Sequence, residues 1–585
     1  MHEKIDINKF QDNFKIIEPY IREQMSKATS NLQRCKFLAK SIKLQRSPPW
    51  PSIPAADLPP KDVADKLVDC YLRTIETIYR ILHVPTFKRN YNALWVSGAK
   101  PDVAFTVQLK LVFAIGATVD DEQFSLRASA TRWVYEAQTW LSEPVFKSRL
   151  SIESLQTNLL FLIARETAAV GGELVWISAG SLFRTAVHMG LHRDPARLSN
   201  TITFAAEMRR RLWNTVLEIT LQSSMDSGGP PFVSLDDFDT APPSNFDDDQ
   251  LMTDDAVSKP EDEFTQTSIA VGLRKTFPLR LAIIKFLNDI GSNGSYEEML
   301  RLDTELRASY KTLRQTLQPC NTRTGRSLSQ FESRVVDVIM CRYLSSLHIP
   351  FFDSSLHEAA YAFSRKVVIE TALKTWSAMN PSSSITSTPL RTETSSSDQD
   401  DLVRLMICGS GFFRTVAFQA SFVIAAELRA QLRENESLGP APVRPDLLSV
   451  IDGAKTLTLR CIEVGETNIK NHLLICVVSA QIDGLMRGIP KDEFPQLLIQ
   501  AAEDAVTRCL SILEGRAAPC QEEVARDVDD ELSQMSFNTP ADLMEGWDFM
   551  VNSKHRQSQT LINLLIACIQ ISDPQFDFGY AEPMG

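Results

Sequence analysis

Apolar residues recur three and four positions apart along most of the chain. Val63, Leu67, Tyr71, Ile75, Ile78 and Leu82 fall on one face of a helix that starts at Asp62 and is stopped by Pro85. The same period predicts helices over about 103–119, 127–141, 151–170, 173–191 and 204–225, and a second long pair over 296–317 and 328–347. Beyond these it predicts two long helices at 402–434 and 445–482, and a shorter one at 496–514. No alternating period-two run stands between hairpin turns, so the expected fold class is all-α, a helical array or bundle.

The breaks in this pattern divide the chain. At the amino end Phe10, Phe14, Ile17 and Ile21 lead into Ala28, Leu32, Cys35, Leu38 and Ile42, and Pro19 delays the sustained helix to about Tyr20. Pro48, Pro49, Pro51, Pro54, Pro59 and Pro60 make 47–60 an extended connector, because each proline fixes φ and lacks a donor. A loop rich in Gly, Pro and Asp runs from Asp226 to about Glu263. The Ser/Thr/Pro stretch 380–401 has too little apolar surface to offset chain entropy and is expected to be a disordered insertion. Between 521 and 550, nine acids face one base, Arg526, with large apolar residues interleaved. The expected organisation is a basic amphipathic arm (1–46), the connector (47–60), a main helical domain (61–352), a carboxyl-terminal helical part (353–520) and an acidic, aromatic tail (521–585).

With 585 residues, the chain exceeds the ~250–300 at which one core stops growing, so two or more packed units or a long array are expected. The net charge of −12 is uneven: residues 1–50 hold ten Lys or Arg against five acids, which leaves −17 for the rest. An acidic body repels a phosphate backbone, so any nucleic-acid contact belongs at the amino end. No apolar run approaches the ~18 residues of a membrane span; the strongest, 473–482 and 561–571, read as core helices, and no membrane association is expected. The first thirty residues lack the apolar centre of a secretory signal. Ten scattered cysteines, none at a two-residue metal-clamping gap, read as reduced and mostly buried thiols of a cytosolic or nuclear protein.

Three constellations carry candidate chemistry. The run Asp226-Ser227-Gly228-Gly229-Pro230 has the look of a serine-protease nucleophile loop, but it ends a predicted helix and no histidine loop accompanies it. His188 and His192 stand four apart, yet the sequence between them lacks the glutamate of a zinc protease, and a helix end is the better reading. Arg209, Arg210 and Arg211 point three ways on a helix, so they suit ion pairs better than a phosphate stripe. No catalytic, cofactor-binding or metal-binding residue is therefore assigned.

Three passages resemble the fungal-specific transcription factor domain, the middle homology region of zinc-cluster regulators. They are LVDCYLRTIETIYRILHVPTFKRNYNALW at 67–95, WISAGSLFRTAVHMGLHRDP at 176–195, and 207–251 with RRRLW, Asp226, GGPPF and PPSNFDDDQL. YLSSLHIPFF at 343–352 is a weaker echo. Gly229 departs from the family habit of an arginine before the proline, and residues 1–60 hold only Cys35 where members carry six zinc-binding cysteines. The resemblance implies a nuclear, non-enzymatic regulator of RNA polymerase II genes, of the kind that serves a metabolic or secondary-metabolite cluster. Zinc would belong to an upstream module, and DNA would be reached through that module or indirectly. The implied partners are a homo- or heterodimer mate through the amino-terminal region, the transcription machinery through the acidic tail, and a small-molecule effector. A second reading is a DNA-binding-deficient protein that pairs with a complete zinc-cluster factor; a third is a helical enzyme.

Overall fold

The computed structural model describes residues 26–96, 102–144, 150–197, 202–253, 256–289, 294–318, 327–380, 397–438, 444–490 and 493–517. Helix α1 (Ser26–Arg46) and the connector lead to α2 (Lys61–Arg73), α3 (Ile75–Tyr79) and α4 (Val84–Ala93). Then follow α5 (Val103–Asp120), α6 (Arg127–Ser142), α7 (Ile152–Thr167), α8 (Val175–His188) and α9 (Thr203–Ser227). A loop with short 3-10 turns reaches α10 (Ser268–Asn288), α11 (Tyr296–Leu317), α12 (Gln330–His348), α13 (Phe352–Ser355) and α14 (Ala362–Met379). The carboxyl part is α15 (Ser397–Ile407), α16 (Phe412–Leu438), α17 (Pro445–Glu463), α18 (Lys470–Arg487) and α19 (Phe494–Ala517). No strand occurs among the described residues, and the expected all-α array is what the chain forms.

Neighbours in sequence are mostly neighbours in space: α5 packs on α2, α6 and α7, α8 on α9, α10 on α11, α12 on α14, and α14 on α16. One apolar core runs through them from Ala64 to Ile482. A second, small core joins Cys35, Leu38 and Ile42 of α1 to Ile462, Ile469, Val506, Cys509, Leu513 and Ala517. The described part of the stripe read on the amino-terminal arm, Cys35, Leu38 and Ile42, is thus spent on the body. Cations also hold it there. Arg46 donates to the Gly465 carbonyl at 2.8 Å, Arg127 to that of Val464 at 3.2 Å and Arg516 to that of Glu463, so three arginines from α1, α6 and α19 meet the negative end of α17.

Several predicted elements change on folding. The helix expected from Asp62 to Pro85 breaks at Thr74, whose hydroxyl donates to the Cys70 carbonyl, and again at Arg80, left-handed at φ 51°. Pro85 opens α4 instead of stopping its predecessor, since its missing N–H is one that a first helical turn leaves unpaired anyway. The helix expected over 402–434 is two helices, parted at Gly411. There φ is +84°, and a Cβ would stand 2.2 Å from Glu166 Cγ, so only glycine fits. The helix expected over 445–482 likewise divides between Glu463 and Lys470. Residues 397–401 leave the polar insertion for α15, because Asp401 is buried against Arg73, which reaches both its oxygens at 2.7 and 2.9 Å. Residues 381–396, 1–25 and the tail 521–585 lie outside the described residues.

Two segments correct the membrane reading: α5 and the run 330–355 are long and apolar enough to cross a membrane by composition. Of each apolar window, 78% is buried inside the protein, which is where a helix apolar on all sides belongs in a large core. Lys110, in the middle of α5, is buried with them. Its ammonium donates to Glu136 at 2.6 Å and to the Ala55 carbonyl at 2.8 Å, pinning the connector to the body.

Candidate functional site

The first and third motif passages meet at one buried carboxylate, Asp248. Arg80, from the first passage, donates to its Oδ1, and Arg211, from the third, reaches the same oxygen at 2.6 Å. The Val84 N–H donates to Oδ2 at 2.9 Å, and the His83 ring meets the Asp248 carbonyl at 2.9 Å. Arg80, His83, Arg211 and Asp248 are almost wholly buried. Burial alone would raise the Asp248 pKa, but Arg80 and Arg211 more than offset it and hold the carboxyl well below the usual carboxylate range. Behind Arg80 stands Glu76, which accepts from the Tyr71 hydroxyl at 2.6 Å and from the Leu82 N–H at 3.0 Å. Burial pushes Glu76 up to about 7.

The second passage enters through Asp194. It accepts the N–H groups of Ala196 and Ala241, each at 2.8 Å, and the Arg210 guanidinium at 2.8 and 3.1 Å. The Arg210 bonds, with the two backbone donors, bring its pKa down to about 2. Arg209 donates to the Met189 carbonyl at 3.1 Å. The three adjacent arginines therefore tie to three places: the end of α8, Asp194 with Glu207, and Asp248. Nothing in this arrangement leaves a phosphate-binding patch, as Arg211 is sealed and Arg210 is doubly paired.

The remaining candidates resolve in the same structural way. The run from Asp226 ends α9 with Gly228 left-handed, and the Ser227 hydroxyl bonds the Ser224 carbonyl and the Gly229 N–H. A Cβ on Gly229 would stand 2.6 Å from the Trp176 ring, which accounts for the glycine where the family habit is arginine. His192 lies in the turn after α8, its carbonyl accepting from Asp239, and His188 ends the helix. Among the described residues no three metal-ligating side chains gather. The seven described cysteines are free, and burial raises every thiol, Cys509 to about 12.

Sequence reasoning missed a second buried polar cluster. Arg280 pairs with both oxygens of Glu218 at 2.6 and 2.8 Å, and Arg342 reaches Asp226 at 3.3 Å. Charged residues on otherwise apolar helical faces were the available signal. Beside them is a cavity of about 20 Å³, with room for about one or two waters. The Arg342 Nε and Nη1 and the Asn214 Oδ1 face this region without a protein partner.

Glu166, at the end of α7, accepts the Phe412 N–H at 2.8 Å and so fastens α16 to α7. Burial, then Asp226, push its pKa up to about 7 from the ordinary 4.5. A carboxyl whose pKa rises on folding stabilises most below its unfolded value and loses that contribution as pH climbs through the folded one. Between pH 5 and 8, wild type should therefore lose stability relative to Glu166→Gln, the two matching near pH 5. Urea midpoints at both pH values check this, and parallel midpoints would exclude the titration.

A family model described as the fungal specific transcription factor domain matches residues 68–318, which contain the second and third passages, the first from Val68 onward, and the Asp248 node. The chain is 33% identical to Transcription factor lepE of Aspergillus flavus over 83% of its own length and 59% of that protein's. It is 30% identical to Transcription factor asR3 of Sarocladium schorii, over 92% of this chain and 68% of the relative. The chain belongs to the fungal specific transcription factor domain family. Another relative, the Aspyridones cluster regulator apdR of Emericella nidulans, is 28% identical over 72% of the chain and 57% of its own length. The chain thus spans well under two thirds of several relatives that it matches. No solved structure matches it. Within this family domain, Asp248 joins the first and third of the passages that carry the resemblance, and Asp194 with Arg210 ties the second to the third.

Proposed function

We propose that the chain is the regulatory and activation part of a nuclear regulator of RNA polymerase II transcription, serving a metabolic or secondary-metabolite gene cluster. The observation that carries this reading is the family match over 68–318, together with relatives that are named transcription factors and, in one case, a cluster regulator. It makes the chain a non-enzymatic protein, with DNA reached through a zinc-bearing module or a partner. The buried ion pairs suit a rigid scaffold, because their charges are turned inward and paired. Dimerisation belongs to the same proposal. With Cys35, Leu38 and Ile42 spent on the body, it falls to residues ahead of Ser26. A metabolite effector would need the cavity beside Arg342 to open, since that cavity has room for about one or two waters.

The test is a reporter assay with the full chain fused to a heterologous DNA-binding domain. Reporter output should change at least about tenfold relative to that domain alone, and should return to baseline when 521–585 are removed. Unchanged output from the fusion would sink the reading. Recovery of a complete zinc-cluster protein, with no output without it, would replace it by the pairing alternative.

A further inference from the structure

Helix α1 carries six Lys or Arg and no acid. Its apolar stripe faces α19, and Arg34 pairs with Glu514. Lys36, Lys40 and Lys43 lie on a different side. Spaced four and three apart, they form an exposed row about 10 Å long at the helical rise per residue. None of the three has an ion-pair partner among the described residues. The row runs beside the first turn of α18, whose positive end adds to it. Lys470 senses the excess directly: burial, then Lys36 and Lys43, lower its pKa.

The described chain ends at this place. Arg516, the penultimate residue of α19, and Arg46, the last of α1, donate to carbonyls two residues apart, those of Glu463 and Gly465. The last described residue, Ala517, therefore lies beside the end of α1, whose last residue, Arg46, is one helical turn from Lys43. Residues 521–550, the next thirty or so positions, carry nine acids against Arg526. Glu522 is five residues beyond Ala517, a reach of up to about 17 Å, and Asp527, Asp529, Asp530 and Glu531 extend it along the whole row. A charged segment tethered this close meets the lysines at high effective concentration, although each exposed pair is weak and screened by salt.

We infer that the acidic segment 521–550 docks in cis along the lysine row of α1. The contact deepens the function proposed above, because it holds the segment assigned to the transcription machinery against the body until salt, a competing cation or a partner releases it. It rests on that reading only for its consequence. The contact itself is testable without any transcriptional readout.

The test uses the full chain. Carbodiimide coupling of a dilute equal mixture of light and heavy-isotope chains should link Lys36, Lys40 or Lys43 to acids between 522 and 548 within single chains, and at least fivefold less in 0.5 M salt. A glutamate-specific protease should cut at Glu531 at least fivefold faster in Lys36→Glu/Lys40→Glu/Lys43→Glu, a variant confined to exposed positions. Adding Glu522→Lys, Glu523→Lys and Asp527→Lys to that variant should restore protection. Links spread evenly over other lysines, or only between chains, would overturn the inference. So would unchanged cutting in the triple variant; if that variant also lost retention of duplex DNA, the row would be a phosphate contact instead.

Discussion

Asp248→Ala is expected to destabilise the protein by about 3–5 kcal/mol, the cost of leaving buried guanidinium groups without their counter-charge. Arg80 and Arg211 share one oxygen of Asp248, and both are sealed from water. Removing the carboxylate leaves two like charges facing each other, with Glu76 as the remaining acid near Arg80. It also frees the Val84 N–H at the start of α4 and withdraws the side chain that anchors the 3-10 turn Asp248–Met252. The midpoint of urea unfolding, followed by far-UV circular dichroism, should fall accordingly and soluble yield with it. Asp249→Ala, one exposed position away, should stay within about 0.5 kcal/mol of wild type. Replacing the cluster as a whole, with Arg80→Met, Asp248→Leu and Arg211→Met, should recover much of the loss, because no charge is then stranded. An Asp248→Ala midpoint within about 1 kcal/mol of wild type would mean that water reaches the node.

Trp213→Ala should cost a similar amount, about 3–5 kcal/mol, for a different reason. Trp213 is 1% exposed and packs among Phe183 at 5.4 Å, Phe238 at 5.6 Å and His192 at 6.5 Å between ring centroids. Those rings come from α8, the turn after it and the loop after α9, so the indole is the apolar counterpart of the arginine ties beside it. Its N–H has no hydrogen-bond partner. Trp213→Phe should therefore keep more than half of the lost stability, since only volume is removed. Equal losses in the Phe and Ala variants would show that the indole N–H has a bound water that matters.

Both expectations concern residues inside passages that the sequence already singled out, but their roles came from folding. RRRLW and PPSNFDDDQL were visible as motifs, and the helix end HMGLHRDP was legible as a cap. The reading that three adjacent arginines point three ways held, because it follows from helical rotation alone. What it left open was the destination of each one. Arg211 finds Asp248 thirty-seven residues on, and the same carboxylate takes Arg80 from 168 residues away. Glu218 with Arg280 and Arg342 with Asp226 escaped notice for the same reason, each partner lying on a separate helix.

The helix breaks divide similarly. Boundaries such as those of α5, α6 and α11 matched the apolar period closely, because capping and stripe are encoded within a turn or two of sequence. The interruptions at Arg80 and Gly411 did not, since the period continues through them. Arg80 turns left-handed where it meets Asp248, and the chain bends at Gly411 so that Glu166 can accept the Phe412 N–H.

By itself, then, the sequence determined the all-α class and most of the helices, which rest on spacing within a few residues, and it carried the family passages as motifs. Only the tertiary structure decided which charges are buried together, where long helices break and that α1 lies on the body. Those outcomes depend on the desolvation of groups brought together from far along the chain, and desolvation has no local period to read.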